Sequence, residues 1–224
     1  MLLRLKNISK GYGVPGTHAF RPVLNNLSME VETGSRVGIT GPSGCGKTTL
    51  LNIAGALDRP DSGEVFFENR EIGKYIDKDL AVFRNRKMGF VFQQHHLLPQ
   101  CTLLENVILP VLPRGGVTRA DRSWAEYLLN KTGIWEQRDQ KPGAMSGGEC
   151  QRAAVVRALI NKPMLVLADE PTGALDELNA VNLSDLLIRL STDEGITLVI
   201  VTHSPELAGK MDIVYTLHNG ILIP

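Results

Sequence analysis

Val37-Gly38-Ile39-Thr40-Gly41-Pro42-Ser43-Gly44-Cys45-Gly46-Lys47-Thr48-Thr49 runs a short apolar strand into a glycine-rich turn and then into the first residues of a helix. Gly41 to Thr48 satisfies G-x-x-x-x-G-K-[ST], the phosphate-cradling pattern, in the strand-then-helix setting that its mechanism needs. Glycines at 41, 44 and 46 let the backbone curl through positive φ. Successive N–H groups then point inward at the positive end of the following helix, where phosphate binds. Pro42, Ser43 and Cys45 complete the cradle. Lys47 supplies a compact charge for β- and γ-phosphates. The Thr48 hydroxyl is placed to ligate Mg²⁺, and Thr49 reaches the α-phosphate.

Outward from this segment, residues 2–8 and 24–31 alternate like half-buried strands, with turns at 11–13 and 32–34. Residues 36–40, 64–67, 88–92, 164–168, 197–201 and 213–217 also read as strands. Helical patterns cover 47–56, 77–86, 102–109, 118–132, 147–160 and 176–190, the last with Leu183, Leu186, Leu187 and Leu190 at helical spacing. Strands alternating with helices predict an α/β fold with a mainly parallel sheet. From about 95 to 158 no strand is expected, which predicts an inserted helical subdomain. Half of Leu97, Leu98, Leu103 and Leu104 are expected in its core, the rest in a groove for a partner's helix.

Other polar residues follow strand ends. Asp169 and Glu170 close the apolar run Met164-Leu-Val-Leu-Ala. Neighbours on an extended chain point to opposite sides. Asp169 is therefore expected to face a Mg²⁺ shell, and Glu170 an attacking water as general base. Gln93 follows residues 88–92 and fits a ligand for Mg²⁺ or water. His203 follows residues 197–201 and fits a hydrogen-bond partner of the γ-phosphate. Ligands of open α/β sheets bind outside the carboxyl ends of strands, so the phosphate loop, Gln93, Asp169-Glu170 and His203 are expected at one edge. His95 and His96 lie past it and read as surface or interface residues, not metal ligands.

Composition narrows the class. Among 224 residues, 43% are hydrophobic and 21% charged, ordinary for a globular core. Lys plus Arg (24) balance Asp plus Glu (24), so no nucleic-acid partner is expected. Cys45, Cys101 and Cys150 lack metal-ligand spacing and read as free thiols. Arg4 and Lys6 break the N-terminal apolar run, so no secretory leader is expected. No apolar run reaches spanning length, so any membrane spans would come from another chain.

Met145-Ser146-Gly147-Gly148-Glu149 resembles the LSGGQ signature of ATP-binding-cassette ATPases. The other motifs fall in that family's order: phosphate loop, Gln93, signature, acidic pair, Ala174-Leu175-Asp176 and His203. The resemblance implies a P-loop NTPase (RecA-like) core with an N-terminal antiparallel β subdomain, residues 1–224 forming one ATP-binding domain. It implies ATP and Mg²⁺ as cofactors, Tyr12 stacked on adenine, and Asp176 in the loop that completes the site. It also implies a head-to-tail homodimer in which Ser146, Gly147 and Gly148 of one copy close over ATP held by the other. Met145 for Leu, Glu149 for Gln, and Ser204 where Asp is common depart from the pattern. The stretches 89–99, 168–176 and 201–208 resemble the branch holding lipoprotein-releasing, macrolide/peptide-exporting and cell-division ATPases. That branch implies permease partners with large extracytoplasmic domains, and a peripheral place on the cytoplasmic face of the inner membrane. A stand-alone soluble cassette ATPase would share every catalytic motif. A small-molecule kinase would share the phosphate loop but not the SGG signature.

Overall fold

The computed structural model describes residues 1–14, 16 and 19–223. In chain order come β1 (Leu3–Tyr12), β2 (Arg21–Val31), β3 (Arg36–Thr40), α1 (Lys47–Ala54), β4 (Ser62–Phe67), β5 (Arg70–Glu71) and α2 (Asp77–Lys87). Then follow β6 (Met88–Val91), α3 (Leu103–Ile108), α4 (Arg119–Lys131), α5 (Gly147–Leu159), β7 (Leu165–Asp169) and α6 (Glu177–Asp193). The chain closes with β8 (Thr197–Val201), α7 (Pro205–Ala208), β9 (Ile213–His218) and β10 (Ile221–Ile223). It divides into two units, Met1–Arg84 with Thr197–Pro224, and Asn85–Ile196.

The first unit holds an antiparallel sheet in the order β2-β1-β4-β5. It also holds β3, flanked by β8 and β9 in parallel, with β10 antiparallel to β9. All five residues of β8 are buried, as a strand covered on both faces requires. Val37 and Ile39 of β3 and Leu50, Leu51 and Ile53 of α1 add to this core. The structure carries β1 four residues beyond the predicted end at Ile8. The alternation breaks because the register of β1 on β2 shifts between Leu5 and Ile8 and again beyond it. Asn7 (φ 53°) and Asn26 (φ 47°) take left-handed backbone at these bulges. The extension delivers Tyr12 to the end of the strand. Strand β10, beyond the predicted strands, follows a two-residue turn, Asn219 (φ 50°) and Gly220 (φ 77°), the Asn-Gly signature of a type I′ hairpin.

In the second unit β6 and β7 pair in parallel, and residues 95–158 hold α3, α4 and α5 with no strand among the described residues. Ala153, Ala154, Val155, Val156 and Ala158 of α5 are all buried. Thr102 caps α3 and Thr118 caps α4 through reciprocal bonds with Glu105 and Asp121. Leu97 and Leu103 are core, while Leu98 and Leu104 stay partly open. Helix α1 ends at Ala54, not 56, because Gly55 caps it and Ala56 turns left-handed at φ 53°. No helix of the described residues is long and apolar enough to cross a membrane.

Candidate functional site

The loop between β3 and α1 is shaped by its glycines. Gly41 sits at φ 147°, and a Cβ there would lie 2.3 Å from the Leu217 carbonyl oxygen. Gly46, at φ 106°, is the N-cap of α1 and offers no side-chain cap. The first N–H groups of α1 thus keep no side-chain acceptor from this residue, which leaves an anion-binding helix start. Gly41→Ala is expected to destabilise the fold by at least about 1–3 kcal/mol from backbone strain alone. A urea midpoint unchanged from the parent chain would contradict this.

Lys47 is buried at 7% exposure, beneath the loop. Its Nζ donates to the carbonyls of Gly41 (3.0 Å) and Pro42 (3.0 Å) and lies 3.1 Å from His203 Nε2. An ammonium has three donors, and these contacts use all of them. For the third to be a hydrogen bond, Nε2 must be the unprotonated ring nitrogen. Thr48 is exposed and Thr49 half-buried. The Tyr12 hydroxyl donates to Asp58 Oδ2 (3.2 Å) and lies 3.4 Å from Thr49 Oγ1, leaving the ring 47% exposed. Lys10 reaches Asp58 at 3.0 Å and holds its carboxyl below the usual range, against a desolvation that works the other way. Nothing local in the sequence ties Asp58 to Tyr12, 46 residues away.

The second unit carries the other polar strand ends. Gln93 follows β6 and Asp169 ends β7, its parallel neighbour. The Gln93 amide lies over the segment after Glu170: a Cβ on Gly173 would be 3.1 Å from Gln93 Nε2. One expectation is corrected here. Glu170 is not on extended chain but at φ 47°, in the left-handed region. It is this turn, closed by Gly173 N–H to the Glu170 carbonyl at 3.0 Å, that sets its direction. His96 is exposed, while His95 is more enclosed. His95 is half-buried, its Nδ1 accepts from Leu97 N–H at 3.1 Å, and burial, then Arg157 and His96, push its pKa down. The Arg157 guanidinium donates to the carbonyls of His95 (2.7 Å) and His96 (2.6 Å) and so fixes the chain beyond Gln93.

Ser146 is the N-cap of α5 and forms a capping box with Glu149. Glu149 Oε2 accepts from the Ser146 N–H (2.7 Å) and hydroxyl (2.8 Å), while Ser146 Oγ accepts from Glu149 N–H (3.2 Å). The departure at 149 is therefore one half of a cap, readable in advance as S-x-x-E. Gly148 is buried, and a Cβ there would lie 2.8 Å from Asn179 Oδ1. Asn179 is bonded through its N–H (3.0 Å) and side chain (2.6 Å) to Asp176, the N-cap of α6. The signature and Asp176 thus share one neighbourhood.

The Ser146 bonds hold the Glu149 carboxyl below the usual range. A group with a depressed folded pKa stabilises above its unfolded value and loses that contribution as pH falls through the folded one. The stability advantage of the parent chain over Glu149→Gln should therefore be full at pH 7. It should begin to fade as pH falls past about 4.3, the unperturbed Glu value, and be gone below the folded value. Equal pH profiles of the urea midpoints would refute this.

No group of three or more His, Cys, Asp or Glu among the described residues could hold a metal ion by itself. In the first unit Thr48 offers a hydroxyl oxygen; in the second, Gln93 and Asp169 offer an amide and a carboxylate oxygen. Such donors suit Mg²⁺, which takes one or two carboxylates and completes its shell with phosphate and water.

A glycine loop at an open helix start, a buried lysine beneath it and a second capped glycine turn define a P-loop ATPase of the cassette class. The ABC transporter family profile matches residues 24–173. The lipoprotein-releasing system ATP-binding protein LolD of Syntrophus aciditrophicus (strain SB) is 42% identical over 222 residues, 99% of each chain. The LolD of Myxococcus xanthus (strain DK1622) is 43% identical over 210 residues, covering 94% of this chain and 93% of that one. A solved dimeric ATP-binding cassette in a post-hydrolysis state, bound to ADP and Pi, superposes with a TM-score of 0.90 at 37% identity. That match covers 100% of this chain and 97% of the other. The chain belongs to the ABC transporter family, as an ATP-binding and ATP-hydrolysing subunit.

Proposed function

We propose that this chain is the ATPase of a lipoprotein-releasing complex. Two copies join head to tail around two ATP and drive an integral-membrane permease with large extracytoplasmic domains, from the cytoplasmic face of the inner membrane. Residues 1–224 act as one ATP-binding domain, with a helical insertion at about 95–158. The observation that carries the ATPase reading is the Lys47 ammonium, held between loop carbonyls and His203 at the open start of α1. The relatives' name carries the cargo class.

The loop N–H groups from Gly41 to Thr49 take the phosphates, and the Tyr12 ring takes adenine. Lys47 exchanges carbonyl contacts for β- and γ-phosphate oxygens. Thr48, Gln93 and Asp169 are the residues that would hold Mg²⁺, which when bound neutralises charge on those oxygens. Glu170 accepts a proton from water as the water oxygen bonds to the γ-phosphorus and the bond to the β-bridging oxygen breaks. The Lys47 charge stabilises the leaving ADP oxygen, and His203 hydrogen-bonds the transferred group. Ser146, Gly147 and Gly148 of the opposing copy, at the start of its α5, close over the γ-phosphate, with Asp176 beside them.

The test is an affinity pull-down of Glu170→Gln from detergent-solubilised native membranes with ATP, read by mass spectrometry. A permease with about four predicted spans by hydropathy, together with co-purifying lipoprotein, is expected. Recovery of soluble assembly proteins alone would overturn the transport reading and leave the ATPase one standing.

A further inference from the structure

A cavity of about 420 Å³ in the second unit is lined by Arg86, Arg114 and Asn161. Its walls are built. Asn161 Oδ1 accepts from Arg114 Nη1 at 2.7 Å, and Asn161 Nδ2 donates to the carbonyls of Asn85 (2.9 Å) and Pro110 (3.0 Å). Asn161 therefore spends its side chain on holding Arg114 and the adjoining turn. The positive charge of the cavity is only partly balanced within it. The nearest carboxylate to Arg114 is Asp121, at 3.9 Å, and Asp121 already accepts from the Thr118 hydroxyl (2.5 Å) and N–H (2.9 Å). Arg86 is exposed and makes no ion pair or side-chain hydrogen bond among the described residues.

Two guanidiniums, one clamped and neither closely paired, offer forked donors to a tetrahedral oxyanion. The volume lies in the range of pockets that hold organic ligands, well beyond a bare ion. The residues 109–114 that carry Arg114 also expose Leu109 (37%) and Leu112 (51%). Apolar side chains on the same turn as a loosely paired arginine suit an amphiphile with an anionic head.

We propose that this cavity binds a phosphoryl oxyanion, foremost the phosphodiester headgroup of an anionic lipid. It would hold the chain to a bilayer independently of any permease. The ATP site plays no part in this contact, so ATP turnover of the variants reports folding separately.

The full-length chain is to be sedimented with phosphatidylcholine vesicles with and without phosphatidylglycerol, and titrated calorimetrically with inorganic phosphate and with polyglutamate. Each arginine beside an anionic surface contributes about fivefold to partitioning. The double variant Arg86→Gln/Arg114→Gln should therefore lose about 25-fold in binding to phosphatidylglycerol vesicles, with ATP turnover retained. Arg70→Gln, exposed in the first unit, should bind as the parent does. Binding of inorganic phosphate that needs both arginines, without vesicle binding, would assign the site to free phosphate. Binding that ignores both arginines, or no binding to vesicles or phosphate, overturns the proposal. Binding of polyglutamate alone overturns it in favour of an acidic protein segment.

Discussion

Glu170→Gln is expected to cut ATP turnover by about 10²–10⁴-fold, the usual worth of a general base, while ATP binding survives. The side chain keeps its size and loses only the ability to take a proton from water. The backbone supports an active role for this residue. A non-glycine residue at φ 47° sits in a region that costs L-residues roughly 1–2 kcal/mol, and such strain persists where surrounding structure over-determines it, often at functional sites. Buried Pro171 and Thr172 and the Gly173 bond supply that surrounding structure. A companion variant separates strain from chemistry. Glu170→Gly should remove the strain and raise the urea midpoint, yet depress turnover as far as Glu170→Gln does. Steady-state phosphate release and nucleotide titration measure both. Parent-like turnover in Glu170→Gln would remove Glu170 from the role of base.

The sequence made the architecture legible where period and chemistry were local. The buried run of β8, the glycine spacing before α1 and the leucine stripe of α6 each point to one element. The strand ends that pair Lys47 with His203, and Gln93 with the Glu170 turn, follow from parallel neighbours whose polar residues share an end. What stayed hidden was set by backbone irregularity or by distant partners. The bulges at Asn7 and Asn26 broke the alternation that would have carried β1 to Tyr12. The left-handed turn at Glu170 leaves no mark in a run of apolar residues ending in two acids. Asp58 and Arg157 act on residues far along the chain, Tyr12 in one case and the His95 and His96 carbonyls in the other. Two further signals are local: Asn219-Gly220 as a hairpin turn, and Ser146 with Glu149 as a capping box.

Lys47→Ala should weaken ATP binding by roughly 10- to 100-fold, the range of one lost charge-assisted contact of about 1.5–3 kcal/mol, and should lower turnover at least as far. The effect on stability should be small, because the two carbonyls it leaves are within reach of water: Pro42 is exposed and Gly41 half-exposed. Lys47→Arg is the sharper test. The ammonium sits at 7% exposure with two carbonyls and an imidazole nitrogen, each 3.0–3.1 Å away. A planar guanidinium is larger and cannot point three donors at those three acceptors from one centre. Charge is kept and geometry is lost, so Lys47→Arg should also lose affinity, along with the closed arrangement of the loop. If charge alone mattered, Lys47→Arg would bind ATP like the parent while Lys47→Ala would not, and the contacts to Gly41, Pro42 and His203 would be incidental. If both bind like the parent, the loop holds nucleotide through its backbone N–H groups, and Lys47 is only a strut beneath it.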